Sequence, residues 1–553
     1  MFKKVLIAIL LFIVVGGALA WFNRQAIALY VVTNRGKVDV APNRPVHWQA
    51  GPTEAGTPSG ERPPNIVFIL ADDLGINDIS TFGGGVAGGR VPTPNIDRLA
   101  AEGIIFDQAY AGSAICSPSR AMLMTGRYPT RTGFEFTPTP DGMGRIVNMF
   151  NDPERSGLPP LDLNRERDEA ALPFDQQGLP GSEVTIAEVL RDAGYHTAHI
   201  GKWHLGRGAE FGPNAQGFDE SLLMASGLYL PEDDPDVVNA RVDFDPIDIF
   251  LWARLQFAAS FNESEWFEPG GYLTDYWTDE AINFIRANRN RPFFLYLAHW
   301  GVHTPLQATR ADYEAVGEIT PHRLRVYAAM VRALDRSVGE IMAELDAQGL
   351  ADNTILVFSS DNGAPGYIGL PEVNAPYRGW KLTFFEGGIR VPLFMRWPAQ
   401  IAAGSHSAMP AAHIDLMPTL AAAGRANLPK DVPIDGVNLL PVAMGSDVVS
   451  RPDNAIFWQS GYYRSVRQGD WKLQVSQRPN RSWLYNLAED PTEQTDLTRR
   501  FPRRVAAMRA LLDRHWRSGR SPLYPYTLEA PIAVDRTLAE RVREGDEVIY
   551  WPN

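Results

Sequence analysis

Four apolar runs along this chain each end abruptly in polar residues. Residues 66–71 form an unbroken apolar run closed by Asp72-Asp73-Leu74-Gly75. Thr354–Ser360, apolar and β-branched, runs into Asp361-Asn362-Gly363. Phe293–Ala298 leads into His299-Trp300-Gly301-Val302-His303, and residues 196–200 lead into Gly201-Lys202-Trp203-His204-Leu205-Gly206. Short continuous apolar runs bounded by turn residues read as buried parallel strands. Segments of helical period separate them. Residues 182–193 open on a capping serine and stop at Gly194. Between 322 and 348, Leu324, Tyr327, Val331, Leu334, Val338, Ile341 and Leu345 form one stripe, ended by Gly349. This alternation predicts an α/β fold, a large, mainly parallel mixed sheet sandwiched by helices. Ligands of such sheets bind beyond the carboxyl ends of the strands, where all four polar clusters fall.

The pattern changes after about residue 426. Short strands at 455–459, 462–467, 471–475 and 482–487, then a helix from 492 to about 516, predict a smaller C-terminal subdomain of antiparallel sheet plus helix. The organisation expected is therefore a catalytic domain over 65–425, a subdomain over 426–517 and a tail over 518–553 with no functional reading. An insertion over 229–277 is rich in large apolar groups, among them Tyr229, Trp252, Phe257, Phe261, Trp266, Phe267, Tyr272 and Trp277. Residues 247–261, apolar nearly all round if helical, read as a buried lid helix or as a membrane-apposed wall at a site mouth.

At the N-terminus, Lys3 and Lys4 precede an uncharged apolar run over 5–22. This is an export signal of positive-inside orientation. Ala18-Leu19-Ala20 suits a signal peptidase, and the run is also long enough to span a bilayer, so 1–33 reads as a signal peptide or a membrane anchor. Either way the rest of the chain is expected outside the cytoplasm, in a periplasmic or other extracytoplasmic space. Residues 34–64, rich in Pro and Gly, read as a linker.

Composition narrows the chemistry. The chain has 553 residues, 45% apolar, enough for one large core and an appended domain. A net charge of −13 with no basic run excludes a nucleic-acid binder but not an anionic substrate. Cys116 is the sole cysteine, so no intrachain disulfide forms. It opens Cys116-Ser117-Pro118-Ser119-Arg120, where Pro118 suits the first turn of a helix. Cys116 then lies at a helix N-terminus, which favours negative charge, with Arg120 one turn on along the same side. Taken alone, the segment reads first as a small buried hydrophobe beside a surface salt bridge. If Asp72, Asp73 and Asp361 converge, their repulsion calls for a cation. With the Asn362 oxygen they suit a hard ion, Ca²⁺ or Mg²⁺ rather than zinc, and an unmodified thiolate is a poor partner for such an ion.

The C-x-P-x-R pattern at Cys116 resembles the maturation signature of type I sulfatases, in the alkaline phosphatase superfamily. Gly201–Gly206 resembles the second signature of that family. Arg378-Gly379-Trp380-Lys381 with Glu386-Gly387-Gly388-Ile389-Arg390-Val391-Pro392, then 413–420, Asp435-Gly436, 484–487 and Asp490-Pro491, resemble further motifs in the family's order. The resemblance spans about residue 65 to the 510s. It departs at Trp380, where a second glycine is usual, a bulk expected to narrow the pocket. The resemblance implies an arylsulfatase-like sulfuric ester hydrolase whose Cys116 is converted by a maturation enzyme to formylglycine. It implies Ca²⁺, or Mg²⁺, on Asp72, Asp73, Asp361, Asn362 and residue 116. In the implied mechanism the formylglycine gem-diol attacks sulfur while Lys202 and Lys381 hold the sulfuryl oxygens. Arg120 orients the diol, His303, with Lys381, protonates the leaving alcohol, and His204 is the base. His299 is expected to be structural. The alternatives are a phosphonate monoester or phosphodiester hydrolase with the same cassette, and a non-catalytic binder of sulfated ligands.

Overall fold

A computed structural model describes residues 2–34, 37–58, 61–208, 210–225, 227–446 and 449–553. Nine strands form the main sheet: β1 (Asn65–Ala71), β2 (Ile104–Phe106), β3 (His196–Gly201), β4 (Glu220–Met224), β5 (Ala259–Phe261), β6 (Phe293–Ala298), β7 (Thr354–Ser360), β8 (Leu393–Arg396) and β9 (Ser405–Ser407). Their spatial order is β9-β2-β8-β7-β1-β6-β3-β4-β5. The central strands β7, β1, β6, β3 and β4 are mutually parallel, while β5 and β8 run antiparallel to their neighbours. Strand β1 shows why the run at 66–71 has no polar side. Val67 and Ile69 pack into one hydrophobic layer, Ile66, Phe68 and Leu70 into the other, and both faces are covered.

The helices that matter to the site are α1 (Phe2–Phe22), α2 (Arg24–Asn34), α3 (Cys116–Thr125), α4 (Met143–Phe150), α5 (Pro246–Arg254), α6 (Leu273–Asn288), α7 (His322–Ala347) and α8 (Pro502–Arg517). The stripe foreseen over 322–348 is buried along α7, which packs on α6. The helix foreseen over 182–193 is shorter, Ile186–Asp192. Thr185, not Ser182, caps it, in a reciprocal capping box with Glu188.

The C-terminal subdomain has the expected kind of sheet, β10 (Ala455–Ser460), β11 (Tyr463–Gln468), β12 (Trp471–Gln477) and β13 (Asn480–Asn486), all antiparallel. Its helix α8 starts ten residues later than expected, because Pro502 sets the first turn. The tail is structured. β14 (Leu528–Ala533) and β15 (Val548–Pro552) pair with each other, and β14 pairs with Asp162–Leu163.

The segment read as a linker is not a free tether. Ala41 bridges to Phe267, Trp48 stands edge-on to Phe261 and Phe284 at 5.0 and 5.4 Å, and its indole N–H donates to Glu280 at 2.8 Å. Its Pro and Gly content reflects an irregular path over the domain surface. Arg35, Gly36, Ser59 and Gly60 of that segment lie outside the described residues, as does Met1. Among the described residues, one helix is long and apolar enough to cross a membrane, Lys4–Phe22, with mean hydropathy 2.8. The helix that follows it, α2, packs on α4 and α5.

The insertion is divided between core and cleft. Tyr229, Phe267, Tyr272 and Trp277 are buried in the core. The stretch 247–261 is not one helix. α5 ends at Arg254, and Ala259–Phe261 turns into edge strand β5 against β4.

Candidate active site

Strand register brings the four polar clusters together. Ala71 pairs with Ser360, so Asp72 and Asp361 leave adjacent strands side by side. Ala298 pairs with both Leu70 and Gly201, which sets the His299–His303 and Lys202–His204 loops beside them. Gly201 turns at φ 102°, and a Cβ there would meet the Ala298 carbonyl at 2.0 Å, so only glycine fits. Asp73, His204 and Leu382 hold left-handed backbone, at φ 59°, 64° and 73°. Such strain gathers at functional sites.

Cys116 begins α3, and Gly126 ends that helix in the left-handed region. The Cys116 Sγ lies 3.5 Å from Asp72 Oδ1 and 3.8 Å from Asp73 Oδ1, and accepts from Lys381 Nζ at 3.2 Å. Burial and the neighbouring Asp361 carboxylate push the thiol well above its ordinary range, against the helix N-terminus and the lysines. Unmodified Cys116 is therefore a neutral thiol, a weak nucleophile.

Asp72, Asp73, Asp361 and Asn362 are fully buried. Asp361 Oδ1 accepts from the Asp73 N–H at 3.2 Å, and Asn362 Nδ2 donates to Asp73 Oδ1 at 2.7 Å. Ligand atoms of Asp72, Asp73, Cys116 and His303 lie within 4.8 Å of one another. The residues fit a hard cation, because three carboxylates converge and the buried Asn362 amide oxygen has no donor among the described residues. Burial raises Asp72 to about 7, with Asp361 adding to it, while Lys381 and His303 overcome burial to hold Asp73 low.

Cations surround this group. Lys202 Nζ is 2.5 Å from Asp72 Oδ2 and lies over the Trp300 ring at 4.6 Å. Lys381 Nζ is 2.7 Å from Asp73 Oδ1. Arg120, wholly buried, donates from Nε to Asp361 Oδ2 at 2.9 Å, from Nη1 to the Lys202 carbonyl at 2.8 Å and from Nη2 to Asp72 Oδ2 at 3.2 Å. Those bonds go to the carboxylates and the loop rather than to the Cys116 sulfur.

His303 stacks on Trp300 at 4.1 Å. Its Nδ1–H donates to the Thr304 carbonyl at 2.6 Å, and its Nε2 stands 3.5 Å from Asp73 Oδ2. Burial lowers it to about 3. Burial and Lys202 keep His204 neutral, and its buried Nδ1 has no partner among the described residues. His299, outside the cleft, is held by Ser337 Oγ at 2.9 Å and lowered to about 3 by burial.

A cleft of about 380 Å³ opens over Cys116, lined by Lys202, His204, His303, Lys381 and a largely apolar wall. Trp380 packs beside Gly366 and lines the adjoining hollow that shares Tyr367, Lys381 and Leu382 with the cleft, rather than the cleft over Cys116 itself. Several residues of the site escaped sequence reasoning. Tyr367 donates to Asp73 Oδ2 at 3.2 Å, and His413 joins Ser119 Oγ at 3.2 Å to Ser359 Oγ at 3.0 Å. The tail supplies Thr527, Leu528, Ala530, Trp551 and Asn553 to the cleft wall. The motif around His413 and the loop character of residues 361–381, which hold Tyr367, carried the only sequence signals for them.

With Cys116 buried between carboxylates and lysines at the strand ends, the arrangement suits the binding of an anionic group. The family model described as Sulfatase matches residues 64–425, and one described as N-sulphoglucosamine sulphohydrolase, C-terminal, matches 379–512. The N-acetylgalactosamine-6-sulfatase of Rattus norvegicus is 34% identical over 438 residues, 78% of this chain and 74% of that protein. The steryl-sulfatase of Mus musculus is 32% identical, over 76% of this chain and 70% of its own. A crystal structure of Ps i-CgsB in complex with k-i-k-neocarrahexaose superposes with a TM-score of 0.68 at 31% identity, covering 84% of this chain and 95% of that one. The chain belongs to the sulfatase family, and it hydrolyses sulfuric esters.

Proposed function

We propose that this protein is an exported sulfatase that removes sulfate from sulfated carbohydrates, using formylglycine made from Cys116 by a maturation enzyme and one Ca²⁺ or Mg²⁺. The observation that carries the reading is the buried convergence of Asp72, Asp73, Asp361 and Asn362 on Cys116, beneath Lys202 and Lys381. The carbohydrate class is supported by the N-acetylgalactosamine-6-sulfatase relative and by the saccharide held by Ps i-CgsB. Export, with α1 as signal or anchor, is supported by the apolar Lys4–Phe22 helix.

Asp72, Asp73, Asp361 and Asn362 would hold the metal ion, which supplies charge to polarise the sulfuryl oxygens. Formylglycine supplies a hydrated aldehyde, one oxygen to bond to sulfur and a second to release sulfate. The remaining work falls to this chain's own groups. Lys202 and Lys381 neutralise the sulfuryl oxygens in a site shielded from water. Arg120 fixes Asp72 and Asp361 and so positions the nucleophile from below. His303, its Nδ1–H pinned by the Thr304 carbonyl, presents Nε2 to the leaving oxygen. An anionic ester in the cleft raises its basicity, so that with Lys381 it delivers the proton. His204, neutral and with no partner at Nδ1 among the described residues, would take up the proton on its unprotonated ring nitrogen when sulfate departs.

The test joins mass and rate. The Cys116 peptide from the native host is weighed, and hydrolysis of an aryl sulfate, an aryl phosphodiester and a phosphonate monoester is measured in parallel. An aldehyde mass with the sulfate fastest, and activity lost in Cys116→Ala, is expected. An intact thiol from the native host would sink the formylglycine reading, and a faster phosphodiester or phosphonate would move the activity to the other ester class.

A further inference from the structure

Four cationic side chains line the cleft, Lys202, Arg207, Arg254 and Lys381, and no Asp or Glu appears among its described lining residues. That imbalance stands out in a chain with 65 acidic against 52 basic residues. The two lysines belong to the catalytic floor and are paired with Asp72 and Asp73. The two arginines are not. Neither has a carboxylate within ion-pair distance among the described residues.

Arg207 lies three residues beyond His204, on the same loop. Its guanidinium donates to the Ala225 carbonyl and packs near the rings of Phe174 and Trp266, at 5.7 and 5.8 Å. These neighbours fix its position without neutralising its charge, and they leave donors unused on a five-donor group. Arg254 comes from a separate element, the last turn of α5, where the helix dipole tolerates a cation. Burial, with the nearby Arg254 charge adding to it, lowers Arg207 to about 10, so Arg207 remains charged near neutrality. Two like charges converging on a poorly solvated wall are stabilised by an anion between them.

We propose that Arg207 and Arg254 form a second anion subsite in the cleft, which takes a sulfate or carboxylate group carried on the saccharide that bears the scissile sulfate. The subsite rests on the sulfatase reading for its substrate, but not on the formylglycine chemistry. Guanidinium groups suit both anions, because their planar fork matches two oxygens at once. The apolar stretch around them, with Phe250, Leu251 and Trp266, offers a surface for the sugar ring between the two anionic groups. The enzyme thereby selects esters with a second negative charge.

Binding decides this without turnover. The full-length Cys116→Ala protein is titrated by calorimetry with N-acetylgalactosamine 6-sulfate, with its 4,6-disulfate, and with a 6-sulfated disaccharide that carries a uronate. At least one doubly anionic probe is expected to bind about ten-fold or more tightly than the monosulfate, and whichever does so separates sulfate from carboxylate as the second group. Added Arg254→Gln brings that ratio close to one, while Arg254→Lys keeps most of it. Arg254 is half-buried at a helix end, which makes these variants fit to fold, and Arg207→Gln provides an independent second test. Equal affinities for all three probes, no binding of any, or a ratio unchanged in both glutamine variants would overturn the subsite. Hydrolysis of 4-nitrophenyl sulfate by the matured wild-type protein is followed separately. Its absence alongside an arginine-dependent preference would discard the sulfatase reading and leave the subsite standing.

Discussion

Lys381 Nζ stands 3.2 Å from Cys116 Sγ and 2.9 Å from Asp73 Oδ2, tying the proposed nucleophile position to the proposed metal ligands through one ammonium group. The two residues are 265 positions apart in sequence. A charge placed where a sulfuryl oxygen gains negative charge acts mainly in the transition state. Lys381→Ala is therefore expected to lower kcat by about 10²–10³-fold, with a smaller effect on KM. Steady-state kinetics on an aryl sulfate checks this, and a change confined to KM would place Lys381 in ground-state binding only.

The buried Cys116 thiol, held well above its ordinary range by burial and Asp361, is expected to be inert. Protein made without maturation should alkylate with iodoacetamide at neutral pH only after unfolding, and should hydrolyse no sulfate ester. Fast alkylation of the native protein would show a thiolate that the site does not otherwise support.

Chelation should act on both rate and stability, because Asp72, Asp73 and Asp361 are left mutually repelling at the centre of the core. A ligand held at 100 times its Kd contributes about 2.7 kcal/mol, so the melting temperature is expected to fall with EDTA and return with Ca²⁺ or Mg²⁺. Equal melting curves in both conditions would argue against a metal at these carboxylates.

Trp551 in the tail packs edge-on against Phe384 at 5.2 Å and also borders the cleft. Trp551→Ala is expected to cost about 3–5 kcal/mol and to raise KM. Denaturant unfolding with parallel kinetics reads both, and a variant of unchanged stability would mean that the tail is not anchored there.

His515 supplies a pH signature away from the active site. It stacks on Phe457 at 3.9 Å and is lowered by burial, with Arg131 adding to it, to about 4. Between that value and its unfolded value near 6.5 the unfolded chain binds the extra proton, so acid favours unfolding. Stability is expected to fall by up to about 3 kcal/mol as pH drops through this window. His515→Phe should flatten that part of the profile, and an unchanged profile would remove His515 as its source.

The strands were legible because each apolar run is buried on both faces and ends at a charged turn. Cys116, Lys202, His204, His303, Asp361 and Lys381 were legible for a related reason. All but Lys381 follow a strand end or begin a helix, and Lys381 sits in the loop between Ser360 and Glu386, where a local motif marks it. Boundaries that depend on competition between nearby residues were not. Thr185 outcompetes Ser182 as a cap because Glu188 can return its bond. The segment over 34–64 looked like a tether because composition does not say where Trp48 packs.

By itself the sequence determined the alternation of strand and helix, the residues able to carry the chemistry, and their order along the chain, since these follow from local periodicity and residue type. Only tertiary structure decided that Ala71 pairs with Ser360 and Ala298 with Gly201, which turns separate motifs into one site. It alone set the thiol of Cys116 neutral, gave the tail a place in the cleft wall, and put Arg207 and Arg254 on one surface with no carboxylate among its described lining residues. Burial, field and pairing depend on what lies across space, and residues hundreds of positions apart supply it.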